Sequence, residues 1–279
     1  MERREFLRAA VGAVAGSALL PRFAAQVSRA DARGLGPIGL QLYTVRGEMG
    51  KDVEGTLATV SRIGYREVEF AGLFNHSAKD VRAMLGRHGL VAPSSHVAVP
   101  DTADEWHRDL DDAVTLGQSY IICPWIDEKD RTVDGYKRVA ARFNTAGEAA
   151  KKAGLQFGYH NHDFEFKPVE GQLPYDLLLA ECDPQLVKME IDIFWMVNGG
   201  KDPLVYLARD PARFPMVHAK DRTADGKMVD VGAGVIDFRK ILGAFERAGL
   251  KHCFVEHDDP KDPFASARAS FTYLNRLTF

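Results

Sequence analysis

From Pro37 onward the sequence alternates short apolar runs with longer stretches in which apolar residues recur every three or four positions. The short runs are 38–44 (IGLQLYT), 66–71 (REVEFA), 91–97 (VAPSSHV), 119–125 (SYIICPW), 155–162 (LQFGYHNH), 186–193 (LVKMEIDI), 214–220 (FPMVHAK) and 252–257 (HCFVEH). Their length and their content of β-branched and aromatic residues predict strands. Patterns such as 53–64, 80–89, 104–117, 135–154 and 237–249 predict helices, and several close on glycine near a basic residue, as helix C-termini do. Eight alternations of this kind predict a (β/α)8 TIM barrel rather than an open doubly wound sheet. No G-x-G-x-x-G follows the first strand, which weakens a dinucleotide-binding reading.

Within the predicted strands, residues of one parity are apolar and those of the other are polar. Met189, Ile191 and Ile193 alternate with Lys188, Glu190 and Asp192; Val217 and Ala219 alternate with His218 and Lys220; Cys253 and Val255 flank Phe254. Glu67 and Glu69, Gln41 and Tyr43, His96 with Val97 after it, and the pair His160 and His162 continue the theme. In a barrel the apolar set faces the helices and the polar set faces the axis. The polar members gather toward the C-terminal strand ends, where barrel active sites are built. Acids and imidazoles converging on one axis are costly to bury unless they pair or hold a cation.

Asp192, His218 and Glu256 end three successive strands, and such a set suits a divalent ion such as Mn2+, Co2+, Mg2+ or Zn2+. An open carboxylate-rich centre can stabilise a developing enolate while a carboxylate moves a proton beside a carbonyl. Lys220, two residues beyond His218, is a candidate for stabilising the enolate oxygen or donating a proton; the bland alternative is a surface pair with Asp221. His96 and Glu69 are candidates for binding hydroxyls, and His162 for contact with substrate. Trp125 and Trp195 offer flat amphipathic faces on which a sugar ring can stack. Asn161, of opposite parity, is expected to bond backbone at the strand end. The glycine-rich segment 229–238 reads as a loop entering a helix, with Asp230 or its amides able to close over substrate.

The N-terminus is of another character. A twin arginine (Arg3, Arg4), then Phe6 and Leu7, then a mildly apolar run to Leu20 predict a twin-arginine-type export signal, with residues 1–33 a cleaved leader and 34–279 one catalytic domain. The location expected from this is the periplasm, without a membrane anchor. Removing residues 1–33 leaves 30 basic against 36 acidic residues, so a net charge of −3 becomes −6. That balance gives no footprint for nucleic acid. Three well-separated cysteines (Cys123, Cys182, Cys253) argue against a disulfide framework.

The motifs YHNHDFEF, MEIDIFW with the following GGKDP, VHAKDR, VDVGAGVIDF and FVEHD, in this order, resemble the xylose-isomerase-like barrel superfamily of sugar (phosphate) isomerases and epimerases, which includes endonuclease-type enzymes. The resemblance covers nearly all of the chain beyond the leader. It implies a divalent metal held by Glu, Asp, His and Glu from strands five to eight. Asp192, His218 and Glu256 match the last three ligands, but His160 stands where those epimerases carry the first glutamate. Either Glu190 or His160 is then the fourth ligand, and the acid–base roles fall on Glu256 and Glu190 with Lys220 beside them. The implied function is a metal-dependent isomerase or epimerase that abstracts a proton next to the carbonyl of a sugar or keto-sugar. A lyase or hydratase cleaving 3-keto-glycosides by β-elimination in the periplasm is the first alternative, and a non-catalytic periplasmic sugar-binding protein the second. Dimers are frequent among similar barrels, so a homodimer fits the resemblance.

Overall fold

A computed structural model describes residues 34–279, and the expected export leader, 1–33, lies outside the described residues. Eight parallel strands, Ile38–Gln41, Glu67–Phe70, Val91–Ser95, Tyr120–Cys123, Gln156–His160, Val187–Asp192, Met216–Ala219 and His252–Val255, are numbered one to eight here in chain order. Each pairs with its sequence neighbour, and strand one pairs with strand eight, so the sheet runs 3-2-1-8-7-6-5-4. Between strands three and four the barrel is joined by the Ser119 N–H on the Pro93 carbonyl (2.9 Å) and the Val97 N–H on the Ile122 carbonyl (2.8 Å). The predicted barrel is therefore the observed fold.

Helices wrap the outside, and their starts are written in the sequence. Asp52, Ser77, Thr102, Thr132 and Asp262 each accept a first-turn N–H from the residue three positions on, which satisfies an otherwise orphaned donor. Helices Ala103–Leu116 and Phe238–Ala248 stop at Gly117 and Gly249, both left-handed. The strands are shorter than the apolar runs suggested, for local reasons. Gln41 accepts the Tyr43 N–H and turns the chain into a 3-10 helix, Leu42–Val45. Asp192 accepts the Trp195 N–H and starts the helix Ile193–Asn198, so Ile193 is helical. The helices Pro174–Glu181 and Pro203–Arg209, eight and seven residues long, are too brief to show a clear period in the sequence.

The lower barrel axis is plugged by Ile122, Met216 and Phe254, all fully buried. Space for them comes from glycines on facing strands. A Cβ at Gly39 would lie 2.3 Å from Phe254 Cδ1, and one at Gly158 would lie 2.6 Å from Ile122 Cδ1. Polar side chains are thereby displaced to the upper half of the axis, above an apolar floor.

Gly39→Ala is expected to destabilise the fold by about 1–3 kcal/mol through overpacking against Phe254. Equilibrium denaturation of that variant, and of the same variant carrying Phe254→Leu, checks the cause, because the second change should recover part of the loss.

Candidate active site

Strand register sets the site above the plug. Gln41 lies beside Glu69 and Glu69 beside Ser94, while His160 lies beside Glu190 and Asp192 beside His218. Lys220 and Glu256 follow directly on strands seven and eight. A dry lower layer is centred on Glu69, whose carboxylate accepts from Gln41 Nε2 (2.8 Å) and Ser94 Oγ (2.6 Å) and meets His218 Nε2 at 2.7 Å and His96 Nε2 at 3.2 Å. Burial pushes this carboxyl up, but the two imidazoles outweigh it and hold it well below the usual range. Glu69 is fully buried with its oxygens committed, so the hydroxyl-binding role expected for it is corrected: it braces two histidines from below.

Glu190 is also fully buried, with Oε2 at 2.8 Å from His96 Nε2 and 3.2 Å from both His160 Nδ1 and His218 Nε2. Burial raises its pKa and Glu69 adds to this, yet the His218 and His160 contacts bring it down to about 2. His96 is raised to about 9: burial opposes its charge, and Glu69 and Glu190 overcome that. His218 lies between two carboxylates, Glu69 below and Glu256 Oε2 at 2.7 Å from its Nδ1; burial opposes its charge, but Glu190 first, then Glu69 and Glu256, hold its pKa far up. His160 goes the other way, lowered by burial and by the neighbouring His218 charge.

Nearer the mouth, the Lys220 ammonium meets Asp192 Oδ2 at 3.1 Å, Glu256 Oε2 at 2.8 Å and Asp258 Oδ1 at 2.8 Å. Burial disfavours this cation, and the three carboxylates more than compensate. The surface Lys220–Asp221 pair considered above is not formed. Asp221 is buried and turns away, accepting the N–H groups of Gly232, Gly234 and Ile236. The amides of the glycine-rich loop are thus spent on Asp221, and Asp230 bonds Ser266, so that loop offers no substrate contact of the kind expected. Asn161 exchanges two hydrogen bonds with the Asp192 backbone, tying the loops after strands five and six together.

Above these groups opens a cavity of about 550 Å³. Lys220, Glu256 and Asp258 line one side, and His160, His162, Trp125, Phe164 and Trp195 line the side formed by strands four to six, with His96 between. The His162 ring stands edge-on to Trp125 (4.7 Å between centroids) and stacks with Phe164 (5.7 Å). Burial and Lys220 lower its pKa to about 3, so it is neutral. The Arg131 guanidinium backs Phe164 and Trp125 at 3.5 and 4.5 Å. Sequence reasoning passed over Asp258, although it stands two positions beyond Glu256 as Lys220 stands beyond His218. Ser94, sharing strand parity with His96, was equally accessible to it.

One donor each from strands five to eight, His160, Asp192, His218 and Glu256, presents atoms within 4.8 Å of one another; His96, His160, Glu190 and His218 form an overlapping group. Among the described residues Glu190 Oε1 is buried without a hydrogen-bond partner, while Asp192 Oδ2 is compensated by the Lys220 ammonium at 3.1 Å. A buried carboxylate oxygen without a partner is costly, and a nitrogen–oxygen donor set fits a divalent ion. The three cysteines are buried elsewhere.

The profile of the xylose isomerase-like TIM barrel family matches residues 57–277. The chain belongs to this family. Inosose dehydratase of Lacticaseibacillus casei is 25% identical over 287 aligned residues, covering 87% of this xylose isomerase-like barrel and 95% of that enzyme. A solved sugar phosphate isomerase/epimerase from Parabacteroides distasonis is 30% identical, with a TM-score of 0.78 over 86% of this chain and 98% of that one. The 3-keto-D-glucoside 4-epimerase of E. coli, 16% identical with a TM-score of 0.67 over 86% and 99% of the two chains, shares the fold.

Below the cavity wall, Glu165 accepts from the Tyr159 hydroxyl and from the His162 N–H (2.9 Å). Burial pushes its carboxyl up from 4.5 to about 7 despite those bonds. The folded state therefore binds this proton more tightly than the unfolded chain. Stability from this group is fully present below the ordinary carboxylate range and falls as pH rises toward 7, by on the order of 3 kcal/mol. Denaturation curves between pH 4.5 and 7.5 check this, and Glu165→Gln should flatten that part of the profile.

Proposed function

We propose that this protein is a metal-dependent lyase that removes water, by β-elimination, from an unphosphorylated keto-polyol or keto-sugar. The observation that carries the reading is the one-sidedness of the proton-handling groups. Glu256, Asp258 and Lys220 share one wall of the cavity, while the wall from strands five and six offers His160 and His162, both held neutral and weakly basic, and Asp163, whose carboxylate is paired with Lys167 at 2.8 Å. Inverting a carbon needs a proton taken on one face and returned on the other, and His160 replaces the glutamate that would do this. Elimination needs only one such side. The 25% identical inosose dehydratase, aligned over 95% of its length, supports the same reaction class.

A divalent ion held by His160, Asp192, His218 and Glu256 would supply Lewis-acid stabilisation of the charge developing on the substrate oxygen. His160, rather than Glu190, completes the set because it matches the one-donor-per-strand arrangement, and Glu190 Oε2 is turned to the histidines. The Glu256 carboxylate takes the proton from the carbon beside the carbonyl. The carbon–oxygen bond of the neighbouring hydroxyl then breaks, and Glu256 passes the proton to that oxygen, which leaves as water. Glu256 is regenerated as carboxylate. Lys220 keeps its proton throughout, because three carboxylates stabilise its charge, and offers an N–H donor to the oxyanion.

Charge argues for a neutral substrate. Lys220 and His96, whose pKa is raised to about 9, are the cationic side chains among the described cavity-lining residues, against Asp163, Glu256 and Asp258, and this acidic balance favours hydroxyls over phosphate. The export-type leader, read from the sequence, adds a periplasmic location, where free sugars are met.

Epimerisation is the second reading, favoured by the name of the 30% identical structure. It would require His162 to carry the second proton.

Incubation of the Mn2+- or Co2+-loaded protein with inosose and with a 3-keto-glucoside in D2O, followed by NMR, separates the readings. Loss of water is expected, and an epimer carrying deuterium at an inverted carbon would overturn the lyase assignment. Chelation should abolish turnover and either metal restore it, whereas sugar binding by the metal-free protein with no turnover after loading would point to a binding protein. Glu256→Gln is expected to lower kcat by roughly 10²–10⁴-fold.

A further inference from the structure

Glu165 is a fully buried carboxylate with no part in the proton transfer described above, and it lies directly beneath the cavity wall. It occupies the 3-10 turn Phe164–Phe166, which ends the segment carrying His162 and Phe164 into the cavity. One oxygen accepts from the Tyr159 hydroxyl on strand five, and the other accepts the His162 backbone N–H at 2.9 Å. The hydroxyls of Tyr136 and Tyr175, both buried, have no hydrogen-bond partner among the described residues. An ionisable side chain in such surroundings is expensive to keep, and a core aromatic or aliphatic residue would pack there at less cost. The two bonds it makes connect the strand to the loop that bears His162.

We propose that Glu165 is a positioning residue, acting through the His162 amide and the Tyr159 hydroxyl to fix the wall of the cavity that faces Glu256 and Lys220. The inference rests on the reading of this cavity as a keto-polyol site. Asn161 secures one end of the same loop to the Asp192 backbone, and Glu165 secures the other to strand five. Between these anchors the His162 ring is confined by Trp125, Phe164 and Trp195, with centroids at 4.7, 5.7 and 5.6 Å. Releasing one anchor lets the ring and Phe164 shift away from substrate while Glu256 and Lys220 on the opposite wall stay in place; the His160 ring, 5.1 Å from that of His162, is the one proposed metal-binding group packed against it. Substrate binding should therefore weaken more than the chemical step.

The test compares Glu165→Ala, Glu165→Gln and Tyr175→Phe in the full chain loaded with Mn2+, using inosose as the probe. Glu165→Ala is expected to raise KM about tenfold or more while changing kcat less than threefold, since the lost interaction acts on binding. Glu165→Gln keeps an acceptor for the His162 N–H and should recover most of the affinity. Tyr175→Phe removes an unpartnered hydroxyl from the same cluster and should leave KM unchanged. In a His162→Ala background the Glu165→Ala effect should fall below twofold, because residues acting through one another are not additive. The imidazole NMR signals of His162, read on the protein without substrate, should move in Glu165→Ala and stay in Tyr175→Phe. If the alanine variant does not fold, Glu165→Asp, which shortens the reach by one methylene, replaces it in both readouts. Unchanged KM, full additivity with His162→Ala, or an unmoved His162 signal in a folded variant would overturn the proposal. Should the wild type fail to convert inosose, the reaction reading fails instead, and the His162 signals still decide the role of Glu165.

Discussion

A single imidazole between two carboxylates organises the upper barrel. His218 is fully buried and meets Glu69 and Glu256 at 2.7 Å each. Such charges leave water at a high cost, which only near-complete pairing offsets. Much of the surrounding sequence follows from that need. Gln41 and Ser94 occupy the remaining lone pairs of Glu69, His96 balances Glu69 and Glu190, and Lys220 balances Glu256 with Asp192 and Asp258. The surrounding carboxylates push the His218 pKa up against burial. In the proposed metal centre an ion and a proton would therefore compete for this ring, which ties metal affinity to pH.

This network also explains why the cavity has two chemically different sides. Strands seven and eight bring Lys220, Glu256 and Asp258 to the cavity, and strands four to six line it mainly with aromatic surface and neutral imidazole, Asp163 being the one carboxylate among the described lining residues on that side. In the proposed reaction His160 stands where the resemblance implies a first-ligand glutamate in epimerases, and Glu256 is left as the carboxylate that moves the proton. On that reading the symmetry that inversion at carbon demands is absent, and one difference on strand five bears on which of two reactions follows the same proton abstraction.

Much of this was legible in the sequence, for a physical reason. A barrel strand has a period of two, and an acid or histidine on the axis-facing parity stands out against apolar neighbours. Glu69, Glu190, Asp192, His218 and Glu256 were all identifiable in that way. What parity does not reveal is depth. Glu69 and Glu190 share the axis with Asp192 and Glu256 but sit in a buried layer outside the cavity lining, and only the register between strands distinguishes the layers. Loops were harder still. The fate of Asp221, which gathers three amides of the glycine-rich loop, depends on contacts ten or more residues away in sequence. Glu165 lay within a conspicuous motif, yet its neighbours Phe164 and Phe166 gave no sign that its own side chain pointed into the core.

The plug of Ile122, Met216 and Phe254, seated against Gly39 and Gly158, has a consequence of its own. It makes the barrel a cup rather than a tube. Every group that lines the cavity hangs from the rim or the upper wall, and the foundations are sealed from it. New specificity can thus be written at Tyr43, Trp125 or Phe164 without disturbing the packing below. By the same separation, a change in the floor would alter whether the protein stands at all long before it altered what the protein recognises.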